Sequence, residues 1–119
     1  MEYRFLGKTG VQVSILTLGT MTFGKEADES KSIKIMKKAL DTGLNSFDTA
    51  NIYTGGKSEE IVGRFIQPFR DTIFLASKVH FPTSDRINDR RSSRRHIFLS
   101  VEESLKRLRT DRLDLLYLH

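Results

Sequence analysis

The stretch GLNSFDTANIYTGGKSEEIVGRFIQPFRDTIFLASK, residues 43–78, decides the fold because strand and helix alternate along it. A strand is predicted at residues 44–47. The segment SEE at 58–60 is predicted to begin a helix, because its serine can cap free backbone N–H groups and its glutamates suit the positive end of the helix dipole. The helix is expected to end before Pro68, and a buried strand is predicted at residues 73–76. The apolar face of this helix consists of Ile61, Val62, Phe65 and Ile66.

The same unit recurs on both sides of this stretch. Before it, residues 15–18 are predicted to form a short strand, and Asp28 is predicted to cap a helix that ends at Gly43. After it, Ser93 is predicted to cap a third helix, and a fourth strand is predicted at residues 113–118. The apolar positions of these two helices follow helical spacing and are Ile33, Met36, Ala39, Leu40, Ile97, Val101, Leu105 and Leu108.

Two short strand-like segments, residues 3–6 and 11–14, precede these units. The sequence GKTG between them supplies the turn residues of a β-hairpin. The alternation that follows predicts parallel strands joined by crossover helices, which is an α/β fold. The predicted strands are largely apolar, as expected where both faces of a sheet are covered. An open doubly wound sheet and a segment of a barrel agree equally well with this pattern.

Composition indicates one soluble globular domain. The chain has 119 residues, of which 38% are hydrophobic and 29% are charged, and it contains no cysteine. The lack of cysteine excludes disulfide bonds and thiol catalysis. No apolar run approaches the roughly 20 residues that cross a bilayer, and the first residues lack the pattern of a secretory signal. We therefore expect a cytoplasmic protein that does not bind membranes.

The net charge is +5, and much of the excess lies in one arginine-rich stretch. Such a run can bind nucleic acid. This one has no interleaved aromatic residues and flanks an ordinary helix start, so we interpret it as a solvated loop and expect no nucleic-acid binding. The stretch contains Arg86, Arg90, Arg91, Arg94 and Arg95.

Small or polar residues follow each predicted strand. The segment GTM at 19–21 follows the first, Asp48 follows the second with Tyr53 in the next loop, Lys78 follows the third, and His119 follows the fourth. In either architecture, the carboxyl ends of parallel strands meet at one rim, where ligands bind. These polar side chains are therefore predicted to converge.

The four polar side chains suit the reduction of a carbonyl group. Hydride that arrives at the carbonyl carbon leaves negative charge on oxygen, which then needs a proton. A free phenol, with a pKa near 10, is a weak acid at neutral pH, and a neighbouring ammonium group lowers that pKa because it favours the phenolate. A carboxylate would hold the ammonium group in place, and a neutral histidine would donate a hydrogen bond to the substrate oxygen.

Each of these residues also has a structural explanation. The aspartate can cap a turn, the tyrosine can pack in its loop, the lysine can be a surface charge, and the histidine can be a polar chain end. Their joint placement at successive strand ends favours the functional interpretation. The other histidines, His80 and His96, fit no such scheme, and we expect His96 at the surface.

Several ordered motifs resemble those of the aldo-keto reductases, and together they cover essentially the whole chain. Motifs in matching order are far more specific than one short pattern. They are YRFLGKTG at 3–10, LGTM at 18–21, GLNSFDTA at 43–50 with Tyr53 and GGKSEE at 55–60, ASKV at 76–79, SLKRL at 104–108, TD at 110–111 and LDLLYLH at 113–119.

This resemblance implies a (β/α)₈ barrel of the TIM type. Residues 1–119 would then form its N-terminal half, with a hairpin cap at 1–14 and the first four strands and three helices at 15–119. The resemblance also implies NADP(H) as cofactor and aldehydes, ketones or sugars as substrates. The protein would then be an oxidoreductase that reduces aldehyde or ketone carbonyls with NADPH.

The resemblance further implies a role for each site residue. Tyr53 would be the general acid, Lys78 its ammonium partner, and Asp48 the counter-ion of the lysine. His119 would orient the carbonyl group. The implied cofactor contacts are Gly19, Thr20, Met21 and Asp48, and no metal ligand is implied.

A barrel of this type needs about 250 residues. We therefore expect a half-barrel that self-associates through exposed strand edges and has little reductase activity alone. Two alternatives stay open. The chain could belong to an NADPH-binding regulatory subunit of the same fold, or it could be a half-barrel module that works only with a partner chain.

Overall fold

The computed structural model describes all residues from 1 to 119. Six strands and three α-helices follow one another along the chain, and two short 3₁₀-helices, Tyr53–Gly56 and Gln67–Thr72, lie between them. In chain order the strands and α-helices are β1 (Tyr3–Phe5), β2 (Gln12–Ser14), β3 (Leu18–Gly19), α1 (Glu29–Asp41), β4 (Ser46–Asp48), α2 (Lys57–Ile66), β5 (Phe74–Val79), α3 (Arg94–Leu108) and β6 (Leu115–Leu118).

The strands form two sheets. β1 and β2 pair antiparallel, which confirms the predicted hairpin, and the other four strands form a parallel sheet in the order β3-β4-β5-β6. The register places Gly19 opposite Asp48, and Lys78 opposite Tyr117. The carboxyl ends of the four strands therefore lie at one rim. No helix is both long enough and apolar enough to cross a membrane.

The three α-helices cover the same face of the parallel sheet. Phe47 of β4 and Leu75 of β5 share one core with Met36 of α1, Ile61 of α2 and Leu108 of α3. The opposite face is concave and carries no helix. A barrel segment has its helices on one face, whereas a doubly wound sheet has them on both. The structure therefore shows an α/β barrel segment preceded by a hairpin.

Two helix starts form as predicted from local signals. Asp28 caps α1, since its Oδ1 accepts a hydrogen bond from the backbone N–H of Lys31 at 2.8 Å. Ser93 caps α3, since its Oγ accepts from the backbone N–H of His96 at 3.1 Å. Gly43, just beyond α1, has φ +87°, the left-handed conformation that ends helices and favours glycine.

The first strand of the parallel sheet is shorter than predicted. β3 contains only Leu18–Gly19, while Ile15 and Leu16 lie outside the sheet and are exposed. The hydroxyl of Ser14 donates to the backbone oxygen of Leu16 at 2.6 Å, which holds a bend where a strand was expected. Gly19 therefore belongs to the strand as its last residue.

The buried side of α1 is as predicted at Met36 and Ala39, and Leu40 packs against the core, but the prediction for Ile33 was wrong. Ile33 is half-exposed, whereas Ser32 is fully buried on the side that also carries Met36 and Ala39. The Ser32 hydroxyl donates to the backbone oxygens of Ala27 and Asp28. A buried serine is tolerated here because its hydroxyl is satisfied.

The predictions for Ser58 and His96 were wrong. The residue at the N-cap of α2 is Gly56, and the hydroxyl of Ser58 turns into the interior, where it donates to the backbone oxygen of Thr20 at 2.8 Å. His96 is only 1% exposed. The fully buried residues of α3 recur at four-residue spacing and are His96, Ser100, Ser104 and Leu108, while the predicted apolar stripe beside them is mostly half-buried.

Candidate active site

The ammonium group of Lys78 lies at the centre of the rim, near the end of β5. Its Nζ donates to Asp48 Oδ2 at 2.5 Å, to the backbone oxygen of Thr49 at 2.9 Å and to the phenolic oxygen of Tyr53 at 3.0 Å. These bonds use all three of its N–H groups. Burial lowers the pKa of Lys78, but the hydrogen bonds to Asp48 and Tyr53 outweigh burial and raise the pKa above its usual value. The group is therefore fixed in position and charged at neutral pH.

Tyr53 is brought to Lys78 by a tight turn after β4. It begins the 3₁₀-helix, in which Thr54, Gly55 and Gly56 have φ values of 50°, 61° and 92°. Glycine adopts such angles without strain, so the two glycines allow the chain to reverse within a few residues. The phenolic oxygen accepts its hydrogen bond from the lysine, which leaves the phenolic proton free to be donated elsewhere.

His119 follows β6 and completes the rim. Its backbone N–H donates to β5, and its ring lies edge-on to the rings of Tyr53 and Phe81, with centroid distances of 5.8 and 4.9 Å. Burial, together with the positive charge of Lys78, lowers the pKa of His119 against the opposing charge of Asp48. The imidazole is therefore neutral at pH 7 and has one N–H to donate.

A cavity of about 490 Å³ lies on the concave face of the sheet, next to these groups. Gly19, Asp48, Lys78 and His119 all line it. The second carboxylate oxygen of Asp48, Oδ1, is buried and has no hydrogen-bond partner. A buried carboxylate oxygen without a partner has lost its hydrogen bonds to water and has gained none from the protein, which costs free energy. A ligand hydroxyl that donated to it would remove this cost.

The three residues predicted to line the cofactor groove have different surroundings. No atom lies within 4 Å of a Cβ built on Gly19, so its backbone is open to a ligand. Thr20 is fully buried, and its hydroxyl donates to the backbone oxygen of Asp48 at 3.0 Å. Met21 is exposed and lines a shallow pocket beside Tyr53. Gly19 and Met21 are thus accessible to a ligand, whereas Thr20 is buried and holds the backbone between them through its hydrogen bond to Asp48.

A cluster of buried hydroxyl groups beneath the rim was not recognised from the sequence. The Oγ of Ser58 lies 2.9 Å from Thr20 Oγ1 and 3.1 Å from Thr49 Oγ1. This cluster ties the first turn of α2 to the backbone of Asp48 and Thr49, which both bind Lys78. The only sequence signal was a serine at the start of a helix, which indicates a local cap. No group of three or more histidine, aspartate or glutamate side chains is placed to hold a metal ion.

All four residues predicted to converge do so. Asp48 and Tyr53 contact Lys78 directly, and His119 contacts Tyr53. The family model described as the Aldo/keto reductase family matches residues 15–119. The chain belongs to the aldo/keto reductase family. The resemblance inferred from the motifs is thereby confirmed.

The known relatives of this aldo/keto reductase chain are longer than the chain itself. An uncharacterized oxidoreductase of Bacillus subtilis (strain 168), YrpG, is 44% identical over 100% of this chain and 40% of its own length. A probable voltage-gated potassium channel subunit beta of Arabidopsis thaliana is 39% identical over 100% of this chain and 37% of its own length. The solved structure of the aldo-keto reductase AKR11C1 from Bacillus halodurans, in its holo form, has a TM-score of 0.87 and 37% identity, over 100% of this chain and 40% of that one. The chain spans about 40% of the length of the relatives it matches.

Proposed function

We propose that this aldo/keto reductase chain carries the proton-delivering site of an oxidoreductase that reduces aldehyde or ketone carbonyls with NADPH. The carbonyl carbon gains a hydride, the electron pair of the C=O double bond moves to oxygen, and Tyr53 donates its proton to that oxygen, which yields an alcohol. The observation that carries this proposal is the 3.0 Å hydrogen bond from Lys78 to Tyr53. The lysine charge stabilises the phenolate that proton transfer leaves behind.

The residues at the rim fit a nicotinamide cofactor. Asp48 Oδ1 is buried without a partner, and a ribose hydroxyl is a donor of the kind it needs. Gly19 leaves backbone open to a flat ring, and Met21 exposes its side chain in the pocket beside Tyr53. When bound, the cofactor supplies the hydride. The preference for NADPH over NADH in this proposal follows from the family resemblance.

His119 orients the substrate in this proposal. Its neutral imidazole donates a hydrogen bond to the carbonyl oxygen, so the oxygen is held beside the phenol of Tyr53. A protonated imidazole beside the Lys78 ammonium would place two positive charges close together, which the lowered pKa of His119 avoids. One neutral donor and one acid therefore meet at the same substrate atom.

A regulatory subunit that binds NADPH is the second candidate. It is favoured by the 39% identity to the Arabidopsis protein, whose name describes a subunit of a potassium channel. In such a protein, the contacts of Asp48 and Gly19 would bind the cofactor without sustained turnover. The predicted half-barrel module, active only with a partner chain, is a third outcome that the same experiment detects.

The test measures binding and reduction together. The purified protein is mixed in excess with NADPH, binding is followed by NADPH fluorescence, and an aromatic aldehyde is then added while NADPH oxidation is followed by absorbance. Tyr53→Phe removes the acid, and Tyr3→Phe removes a hydroxyl that bonds only the backbone oxygen of Gly43. We expect Tyr53→Phe to lower the oxidation rate by about 10²–10⁴-fold, the usual contribution of general acid catalysis, and Tyr3→Phe to leave it unchanged.

Each other outcome selects a different function. Tight NADPH binding without aldehyde-dependent oxidation favours the regulatory subunit. Neither binding nor oxidation favours a module that requires a partner chain. Oxidation that survives in Tyr53→Phe at the full rate contradicts the proposed role of Tyr53.

A further inference from the structure

Glu59 is a buried carboxylate that the proposed reaction does not use. It lies in the first turn of α2 and is 0% exposed. Its Oε1 accepts a hydrogen bond from the Ser77 hydroxyl at 2.6 Å, and its Oε2 accepts one from Arg107 Nε at 2.7 Å. A buried charge is costly unless it is paired and hydrogen-bonded, and here both carboxylate oxygens are satisfied. One side chain thus joins α2, β5 and α3.

The close approach of α2 and α3 encloses this ion pair. A Cβ on Gly63 would lie 2.5 Å from the backbone oxygen of Arg107, and a Cβ on Gly56 would lie 2.9 Å from Arg107 Cδ. Glycine at both positions therefore lets the arginine cross between the helices and reach Glu59. The next residue, Glu60, is only half-buried and pairs with Lys57 at 2.9 Å. Adjacent glutamates thus have different surroundings, and only the first reaches the sheet.

Ser77 links the ion pair to the rim. It precedes Lys78 in β5, and successive residues of a strand point to opposite faces of the sheet. Ser77 is fully buried beneath the helices, while Lys78 lines the cavity on the concave face. A hydrogen bond that fixes Ser77 therefore also fixes the backbone from which the lysine side chain extends.

We propose that Glu59 is a positioning residue, which holds the end of β5 through Ser77 so that the ammonium group of Lys78 reaches Asp48 and Tyr53. The inference rests on the proposed function only where it assigns Lys78 a role in catalysis. The contact itself is measurable without turnover, so a chain that lacks reductase activity leaves the test intact.

Two serine variants separate positioning from general stabilisation. Ser77→Ala removes the hydroxyl that connects Glu59 to β5. Ser104→Ala removes a buried hydroxyl on the other side of the same ion pair, which accepts from Arg107 Nη2 at 3.3 Å. The readout is the hydrogen-exchange rate of the Lys78 ammonium group, observed by NMR in protein that carries ¹⁵N in its lysine side chains. Loss of the signal in Lys78→Met assigns it, and denaturant unfolding reports the stability of each variant.

We expect Ser77→Ala to raise the Lys78 exchange rate about fivefold, the factor that corresponds to one ordinary hydrogen bond, and Ser104→Ala to leave it unchanged. An equal rise in both variants, or no rise in Ser77→Ala, overturns the proposal. Glu59→Gln provides a second measurement if Ser77→Ala does not fold. A neutral amide oxygen accepts a weaker hydrogen bond from Ser77 than a carboxylate oxygen does, so faster exchange at Lys78 than in the unchanged protein supports the proposal, and an unchanged rate overturns it.

Discussion

Lys78 and Asp48 form an ion pair that is only partly open to water. Their side chains are 14% and 25% exposed, so solvent and salt screen this pair less than they screen an ion pair on the surface. The lysine charge therefore stays close to Tyr53 over a wide range of conditions. Since Asp48, Thr49 and Tyr53 occupy all three ammonium hydrogens, the geometry leaves the tyrosine proton pointing away from the lysine.

The charge of Lys78 also acts on His119, and this effect is measurable. In Lys78→Met, we expect the pKa of His119 to rise, because a cation that disfavours the imidazolium is removed and the attraction of Asp48 is no longer opposed by it. As the pH falls in the unchanged protein, His119 remains neutral until the pH passes below its ordinary pKa of 6.5, so the donor function proposed for it would persist into mild acid. In the variant, protonation begins at a higher pH.

A titration followed by NMR of the histidine ring protons measures this shift. Lys106→Met is the matched control, because Lys106 lies exposed on α3, where it pairs with Glu103. The control should leave the titration of His119 unchanged. A pKa of His119 that is the same in Lys78→Met as in the unchanged protein would show that the two charges do not interact.

At the residue scale, the sequence predicts which polar side chains meet at the rim better than it predicts burial. Lys78 and Tyr53 were found because polar side chains at successive strand ends are informative without knowledge of the packing. Ser58 and His96 were misplaced because the helix-start pattern describes only nearby backbone groups. The hydroxyl of Ser58 finds its partner in Thr20, 38 positions away, and no local signal indicates so distant a bond.

At the scale of elements, the contact between α2 and α3 depends on a helical glycine. Gly63 lies inside α2, where glycine is intrinsically unfavourable relative to alanine by about 1 kcal/mol. Its presence allows the backbone at the end of α3 to pack directly on α2, since a Cβ here would lie 2.6 Å from Cα of Leu108. Backbone atoms cannot move aside as the end of a flexible side chain can.

We expect Gly63→Ala to destabilise the protein although alanine is the better helix former. Overpacking costs about 1–3 kcal/mol of stability, and the clash with the backbone of α3 places the cost of this substitution at the upper end of that range. The cost therefore exceeds the gain of about 1 kcal/mol that alanine brings in helix propensity. Urea unfolding measures the difference. Gly19→Ala is the control for stability, because a Cβ on Gly19 meets no atom within 4 Å. A gain in stability for Gly63→Ala would contradict the close packing of the two helices.

The first residues of α1 and α3 were predictable because the hydrogen bonds that cap these helices are local. Asp28 and Ser93 cap their helices through backbone groups three residues away. Burial at one position of α1 was not predictable in the same way, because apolar spacing suited Ile33 as well as Met36 and Ala39. Tertiary packing instead buries the polar Ser32 beside the predicted positions Met36 and Ala39.

At the scale of the whole molecule, the parallel sheet has one covered face and one open face. β3 and β6 are its edges, and Leu118 on β6 is 66% exposed. Unpaired edges and exposed apolar side chains favour association between chains. Self-association through these edges stays a prediction. The barrel itself was not distinguishable from a doubly wound sheet by periodicity, and the packing of all helices on one face decides between them.

The site exists only because the whole sheet assembles it. Asp48 comes from β4, Lys78 from β5 and His119 from the end of β6, while Tyr53 lies in a loop after β4. Residues that act in one step are not independent, so their removal is not additive. The central claim, that Lys78 and Tyr53 deliver a proton as one unit, is therefore tested by combining two variants.

The decisive measurement is the rate of aldehyde-dependent NADPH oxidation in Lys78→Met, Tyr53→Phe and the double variant. We expect each single variant to lose about 10²–10⁴-fold in rate, and the double variant to be no slower than Tyr53→Phe alone, because both substitutions remove the same proton transfer. Losses that multiply in the double variant, or a full rate in Lys78→Met, would show that the ammonium group and the phenol act separately.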